Sequence, residues 1–144
     1  MEKKLFEEAQ EIMLQRFGKD SLIALATESK GKPYVRAVNA YYENGCFYVI
    51  TYAVSNKMLH IKENPCVAIC GDWFTANGIG ENIGYILSSN NKRLTEKLRI
   101  IFKEWYGNGH IDENDTNTCI LKIKLTDGVL FSHGKRYDID FTLS

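Results

Sequence analysis

Four side chains between residues 36 and 57 could together bind a phosphate group. Arg36 lies in a predicted strand, in which Val35 and Ala37 would face the opposite way. Thr51 ends the next strand along the chain. Ser55 and Lys57 then open a predicted helix. Guanidinium, ammonium and hydroxyl groups all donate hydrogen bonds to phosphate oxygens, and charged donors make the strongest of these bonds. A helix N-terminus adds unpaired N–H groups and a partial positive charge, so this arrangement could bind an anion.

The same residues also have a simpler interpretation. Lys57 can be a solvated lysine, Ser55 a helix cap, and Arg36 the partner of a surface glutamate. A cation in the first turn of a helix opposes the helix dipole by about 0.3–1 kcal/mol, and a bound anion would offset that cost. Lys92 and Arg93 begin another predicted helix in the same way, so residue types alone leave both interpretations open.

The composition is that of a globular chain of 144 residues, 44% hydrophobic and 25% charged. Lys plus Arg and Asp plus Glu are both 18, so the net charge is zero. A nucleic-acid binder normally carries a basic excess, whereas zero net charge favours self-association. The N-terminus reads MEKKLFEEAQ, and no apolar run reaches the roughly 18 residues that span a bilayer. We expect one domain over residues 1–144, in the cytoplasm, with no membrane or nucleic-acid partner.

Other chemistry-bearing residues do not form a recognised motif. Cys46, Cys66, Cys70 and Cys119 contain no C-x-x-C pair, so we predict reduced thiols that serve as small buried hydrophobes, and no metal site. The three histidines are far apart in sequence, which is typical of surface or satisfied histidines. The glycines at 78, 80 and 84 miss the dinucleotide-binding pattern and predict a hairpin turn instead. No catalytic residue can be assigned.

Apolar periodicity predicts two or three helices and seven or eight strands. The helices are expected over 2–17, over 56–63 and after residues 88–90, where Leu94, Leu98, Ile101, Phe102 and Trp105 form one apolar face. Trp105 is assigned to the core on this basis. The strands are expected over 21–29, 33–42, 46–52, 66–75, 82–87, 120–126, 129–132 and 137–143. Asn44–Gly45 predicts a hairpin turn, and further turns are expected at 77–80 and 127–128. Short connections favour a mostly antiparallel sheet that closes into a barrel or sandwich.

Four short motifs occur in a characteristic order: PYVRAV at 33–38, NGCFYVIT at 44–51, SNKM at 55–58 and IKENPCVAI at 61–69. Their order and spacing resemble the FMN-binding split β-barrel family, which includes pyridoxamine 5′-phosphate oxidases, general-stress flavoproteins and nitroimidazole-reductase-like proteins. The resemblance is densest over residues 21–75. It implies a mostly β fold with flanking helices (α+β), an antiparallel six-stranded split β-barrel, and a homodimer with FMN at the subunit interface.

The resemblance also implies which residues contact FMN. The matching positions are Arg36, Ala37, Val38, Asn39, Ile50, Thr51, Ser55, Asn56, Lys57, Trp73 and Asn82. The first four match the segment beside the isoalloxazine ring, the next two match a strand end near the ring and the ribityl phosphate, and the next three match the phosphate-binding segment. Trp73 resembles a tryptophan that follows the N-P strand. Asn82, or Glu81, lies near a glutamine that the second subunit offers to the ring.

The implied activity is that of an FMN-dependent oxidoreductase that takes electrons from NADH or NADPH and passes them to an unidentified acceptor. The chain ends SHGKRYDIDFTLS, in which His133 and Arg136 do not reproduce the substrate-phosphate segment of the pyridoxamine-phosphate oxidases. We therefore do not expect true vitamin B6 oxidation. A non-enzymatic flavin-binding protein, a split barrel that binds haem or deazaflavin, and a plain interaction domain are the alternatives. Tyr41, Tyr42, Trp73, Trp105 and Tyr106 are candidates for the substrate side.

Overall fold

The computed structural model describes residues 1–143. Its helices are α1 (Lys3–Phe17), α2 (Asn56–Glu63), α3 (Lys92–Ile101) and the single turn α4 (Lys103–Trp105). A 3-10 turn at Ser89–Asn91 precedes α3, and a helical turn at Tyr106–His110 follows α4. The strands are β1 (Ser21–Ser29), β2 (Lys32–Glu43), β3 (Cys46–Tyr52), β4 (Cys66–Gly71), β5 (Phe74–Tyr85), β6 (Thr118–Ser132) and β7 (Lys135–Asp140).

The strands form one antiparallel sheet in the order β3-β2-β1-β4-β5-β6-β7. β3 also pairs with β6, from Cys46 opposite Lys124 to Tyr52 opposite Thr118. The first six strands therefore close into a barrel, and β7 pairs with β6 as an additional strand. This arrangement confirms the predicted mostly β fold with flanking helices and an antiparallel six-stranded barrel. Within residues 1–143, no helix is long and apolar enough to cross a membrane.

The barrel core is built from alternating side chains, because successive residues of a strand point to opposite faces. In β6, Leu121, Ile123 and Leu125 are buried, whereas Lys124 between them is exposed. Helix α1 adds three buried residues, and the ring of Phe17 packs against Phe47 and Phe74 at centroid distances of 5.6 and 5.7 Å. The helix predicted over 2–17 and the strand predicted over 120–126 are therefore confirmed as α1 and as part of β6.

A second apolar cluster lies between α3 and the outer side of the barrel. Leu98 and Phe102 are fully buried there against Tyr41 and Ile120. Ile120 and Leu121 belong to different clusters because neighbouring residues of β6 face opposite ways. The helix stripe predicted from the sequence is therefore the surface that attaches α3 to the barrel.

The predicted turns at 77–80 and 127–128 are wrong. Residues 77–80 lie inside β5 and residues 127–128 inside β6, while the chain turns at 72–73, where Trp73 has a φ of 52°. A Cβ on Gly78 would lie 2.9 Å from the carbonyl oxygen of Lys124, and one on Gly80 would lie 3.1 Å from Ile61 Cγ2. Gly78 and Gly80 therefore allow β6 and α2 to approach β5 closely and do not form a turn. Sequence alone does not distinguish these two roles of glycine.

The cysteine prediction is correct for only two of the four residues. All four are free thiols, with Cys46 and Cys119 buried and Cys66 and Cys70 exposed. The two exposed thiols occupy alternate positions of β4 on the side opposite to the buried Val67 and Ile69. The apolar run of this strand therefore reflects an apolar outer face as well as a core face.

We expect Gly78→Ala to lower the free energy of unfolding by about 1–3 kcal/mol, because the new methyl group overlaps a backbone oxygen of β6. Gly107→Ala is the matched control, since a Cβ there would meet nothing within 4 Å. Urea unfolding of both variants measures the difference. Equal stability of the two variants would contradict the close-approach role of Gly78.

Candidate functional site

The predicted phosphate-binding side chains meet at one rim of the barrel. Lys57 Nζ donates a hydrogen bond to Thr51 Oγ1 at 2.7 Å, and the hydroxyl of Ser55 lies 3.5 Å from the same oxygen. Thr51 is buried at the end of β3, and the chain turns directly into α2, with the Ser55 N–H donating to the Tyr52 carbonyl oxygen at 3.0 Å. This tight turn brings the first turn of α2 back over the strand end.

Arg36 joins this group from β2. It lies opposite Leu25 of β1 and shares its strand face with the buried Val38, while Val35 and Ala37 are exposed on the other face. Its Nη1 donates to the carbonyl oxygen of Leu25 at 3.2 Å and to a threonine hydroxyl of β1. The predicted opposition of Arg36 to its two neighbours is therefore confirmed.

Within residues 1–143, Arg36 and Lys57 form a positively charged pair without a carboxylate partner. The ion pairs among residues 1–143 involve other lysines and arginines. Burial lowers the pKa of Lys57, and the charge of Arg36 lowers it further; burial also lowers the pKa of Arg36. Burial raises the pKa of the neighbouring Cys119 to about 11, so this thiol is neutral at pH 7. Two partly buried like charges are unfavourable alone and suit a bound anion.

These contacts do not fit the simpler interpretation of the residues. Lys57 is partly buried and bonded to Thr51, and Arg36 has no glutamate partner within residues 1–143. Ser55 is the N-cap of α2 by position, but its side chain makes no capping hydrogen bond. Its hydroxyl therefore remains available to a ligand.

A pocket of about 420 Å³ adjoins the cations. It is lined by Val38, Asn39, Val49, Ile50, Lys57, Trp105 and His110. Its walls on β2 and β3 are largely apolar, and one end carries the ammonium group of Lys57. Such a pocket can accommodate a flat apolar ring joined to an anionic group.

A larger pocket of about 720 Å³ lies between α1 and the β6–β7 turn. Two of its cationic side chains already have partners. Lys135 pairs with Glu8 at 3.4 Å, and Arg16 donates to the carbonyl oxygens of Asp72 and Phe131. It has no pair of cations comparable to Arg36 and Lys57. The larger pocket is therefore less suited to an anion than the pocket beside Arg36 and Lys57.

The sequence analysis missed a carboxylate that joins two walls of the smaller pocket. Asp20, between α1 and β1, accepts hydrogen bonds from Asn39 Nδ2 and Trp105 Nε1, both at 3.0 Å. Trp105 is only partly buried and lines the pocket, although it also packs on Phe102 at 4.9 Å. His110 reaches the same pocket from the helical turn that follows α4. No local pattern marks these residues, because their contact depends on how α3 docks on the barrel.

Val38, Asn39, Ile50 and Lys57 are the predicted FMN contacts that line this pocket in a single protomer. Of the other seven, Arg36, Thr51 and Ser55 belong to the adjoining group at the barrel rim, and four belong to neither set. Ala37 faces the outer side of β2, and Asn56 is exposed at the start of α2. Trp73 is 72% exposed and packs against Phe131, at the end of β5 opposite to Thr51 along the sheet. Asn82 is exposed on β5 and accepts a hydrogen bond from the Gly84 N–H at 2.8 Å. Their contact with a cofactor stays a prediction.

No protein-family model matches the chain, and no curated protein matches it either. Solved structures do. A NimC/NimA family protein from Clostridium acetobutylicum superposes with a TM-score of 0.69 at 16% identity, covering 95% of this chain and 98% of the other. A protein from the same organism that is related to general stress protein 26, of the pyridoxinephosphate oxidase family, gives a TM-score of 0.61 at 16% identity, covering 97% and 96%.

A third similar structure is a FAD-binding protein from Mesorhizobium loti, with a TM-score of 0.62, 13% identity and coverage of 81% and 89%. The chain has the split β-barrel fold of these proteins. The fold that the sequence resemblance implied is thereby confirmed, and its structural neighbours include this FAD-binding protein. At these identities only the fold is shared, so the ligand of this split barrel has to be argued from its own side chains.

We expect Lys57→Met to raise the melting temperature of the ligand-free protein by a few degrees. The lowered pKa of Lys57 means that folding disfavours its charged form, so removing the charge removes a penalty at neutral pH. The gain shrinks as pH rises through the lowered pKa and is gone above the pKa of an unfolded lysine. Lys97→Met is the control, because Lys97 is exposed and paired with Glu43 and should change stability little. Thermal melts at several pH values measure both, and destabilisation by Lys57→Met would contradict the electrostatic argument.

Proposed function

We propose that this chain is an FMN-binding flavoprotein whose phosphate site is formed by Arg36, Thr51, Ser55 and Lys57. The observation that carries the proposal is the pair of partly buried cations with no carboxylate partner among residues 1–143. Two hydroxyl groups and the start of α2 lie beside them. A phosphate monoester supplies the missing negative charge and accepts hydrogen bonds from each of these donors.

The isoalloxazine ring is assigned to the adjoining pocket. Val38 and Ile50 offer apolar surface, and the indole of Trp105 offers a flat face for stacking. Asp20 engages the amide nitrogen of Asn39, which leaves Asn39 Oδ1 without a hydrogen bond in the described chain and available to a ring N–H. Ala37 contributes through its backbone on β2, and Asn56 through its position beside Ser55.

The second part of the proposal is a homodimer. The outer face of β1, β2 and β4 carries Leu22 at 66% exposure, Val35 at 70%, and the exposed Ala37, Cys66 and Cys70. The pairings of β1 with β2 and β4 make this face continuous. A contiguous exposed apolar surface is typical of an interface, and zero net charge does not oppose association. In such a dimer, Asn82 is assigned to the cofactor of the partner subunit.

The third part is an oxidoreductase activity, with NADH or NADPH as electron donor and an undetermined small molecule as acceptor. When bound, FMN supplies the hydride and electron chemistry. The residues of the chain bind the phosphate, orient the ring through Asn39 and exclude water with Val38 and Trp105. No side chain is assigned as acid or base. The similar structures include a protein of the pyridoxinephosphate oxidase family, which supports redox chemistry over a purely structural role.

The first test is an absorbance spectrum of the purified protein, with the released chromophore identified by mass spectrometry. Flavin bands and released FMN support the proposal, whereas released FAD would retain the flavin and reject the monophosphate assignment. A Soret band would indicate haem instead. A colourless protein that also fails to bind added FMN would contradict the proposal.

We expect Arg36→Ala and Lys57→Ala each to weaken FMN binding about 10- to 100-fold, since a hydrogen bond to a charged group contributes about 1.5–3 kcal/mol. Lys97→Ala removes an exposed cation from α3 and should leave the affinity unchanged. Fluorescence titration of each apoprotein with FMN measures the affinity of all three variants. Full retention of FMN by both site variants would show that the phosphate binds elsewhere.

We expect Val35→Glu to convert the dimer to a monomer, because it places charges on both sides of the proposed interface. Ile100→Glu is the matched control: Ile100 is 71% exposed, almost the same as Val35, but lies on α3. Light scattering after size-exclusion chromatography gives the mass of each variant. A monomeric unaltered protein, or a dimer that persists in Val35→Glu, would place the interface elsewhere or remove it.

A turnover assay distinguishes an enzyme from a non-enzymatic flavin-binding protein. Oxidation of NADH or NADPH by the FMN-loaded protein, with oxygen or a nitroaromatic compound as the trial acceptor, supports the oxidoreductase. Bound FMN that neither nucleotide reduces would support the non-enzymatic flavin-binding protein.

A further inference from the structure

Thr27 of β1 is a buried threonine, 3% exposed, that connects Arg36 to a histidine of α2. Its Oγ1 lies 2.8 Å from Arg36 Nη1 and 2.9 Å from His60 Nδ1. The three side chains come from three different elements, β2, β1 and α2. A buried hydroxyl with two well-placed partners fixes the orientation of both.

The direction of these hydrogen bonds follows from the chemistry of the groups. A guanidinium only donates, so Thr27 Oγ1 accepts from Arg36. The single proton of Thr27 then has His60 Nδ1 as its one acceptor within residues 1–143. A protonated Nδ1 would make Thr27 Oγ1 accept twice and would leave its buried hydroxyl proton without an acceptor within residues 1–143. We therefore assign Nδ1 as the acceptor and Nε2 as the nitrogen that carries the ring proton. The ring of His60 is further restrained by Tyr34, at a centroid distance of 4.7 Å.

This arrangement restricts the guanidinium of Arg36. Its Nη1 is occupied by Thr27 and by the carbonyl oxygen of Leu25. No hydrogen bond within residues 1–143 uses its Nε or Nη2. Because the guanidinium is planar, two bonds at Nη1 set the plane in which the remaining donors lie. An arginine held in this way loses less freedom when it binds an anion.

We propose that Thr27 and His60 are positioning residues that hold the guanidinium of Arg36 in the plane required to bind a phosphate monoester. The proposal rests on the proposed phosphate site. His60 orients the proton of Thr27, Thr27 accepts from Arg36, and Arg36 presents its free edge to the ligand. Neither Thr27 nor His60 is required to touch the ligand.

The test uses Thr27→Val, which keeps the shape of the side chain and removes both hydrogen bonds. We expect FMN affinity to fall about tenfold, and the affinity for riboflavin, which lacks the phosphate, to stay within about twofold. Thr95→Val is the matched control, because Thr95 is also buried and donates instead to the Ile86 carbonyl oxygen at 2.6 Å. An equal loss of affinity for both flavins would assign Thr27 to local packing and overturn the proposal.

A double-mutant cycle with Arg36→Ala separates the proposal from the proposed function. If Thr27 acts through Arg36, Thr27→Val should add no further loss of FMN affinity in the Arg36→Ala background. If Arg36→Ala weakens FMN binding and Thr27→Val does not, the positioning role is wrong and the phosphate site stands. If neither substitution alters FMN affinity, the phosphate site fails and the positioning role fails with it.

Nitrogen NMR of the histidine rings supplies a readout independent of any ligand. At neutral pH, the resonance that His60→Gln removes should show a protonated Nε2 and an unprotonated Nδ1. Thr27→Val should shift that Nδ1 resonance and leave those of His110 and His133 unchanged. A neutral His60 with its proton on Nδ1 would reverse the hydrogen bond and overturn the proposal.

Discussion

The pairing of β3 with β6 is the constraint on which the candidate site depends. This pairing closes the barrel and places Thr51 opposite Cys119 at the strand end. The chain cannot continue along the sheet beyond this point, so it turns into α2 and brings Lys57 back over Thr51. Arg36 arrives from β2, which pairs with β3 on its other side. Closure therefore brings two cations together that lie on separate elements.

Closure also explains why the cations remain partly buried. A lysine on an isolated strand-to-helix connection would extend into water, but Lys57 is held by the hydroxyl of Thr51 and loses solvent contact. Arg36 is held in turn by Leu25 and Thr27 of β1. The hydrogen bonds satisfy part of each charged group without neutralising it. The two positive charges therefore still repel each other and are incompletely solvated. The binding of an anion is the process that can offset this cost.

Much of the fold and part of the site could be predicted from local patterns. The Asn44–Gly45 turn is confirmed, since the two residues have φ values of 48° and 80°. Positive φ at both positions is what a two-residue hairpin with an Asn-Gly pair requires. The alternation of β2 placed Arg36 correctly on the opposite face from Val35. The turns predicted at glycines 78, 80 and 128 are wrong, because glycine is required both where a chain turns and where two elements approach closely. A Cβ on Gly128, for example, would lie 2.9 Å from the carbonyl oxygen of Thr75. Local sequence does not distinguish these two requirements.

The contacts of Asp20 with Asn39 and Trp105 could not be predicted from any local pattern, since they join segments far apart in sequence. Side-chain parity nevertheless links the two halves of the proposed function. In β2, Arg36 and Val38 face the barrel core, while Val35 and Ala37 face outward. Asn39 also lies on the outward face, opposite Leu22 of β1, and lines the pocket from that side. The proposed phosphate site and the proposed interface therefore use opposite faces of β2, and the pocket reaches the outward face at Asn39. A shift of β2 by one residue would exchange these faces, so the register of the β1–β2 hairpin determines both together.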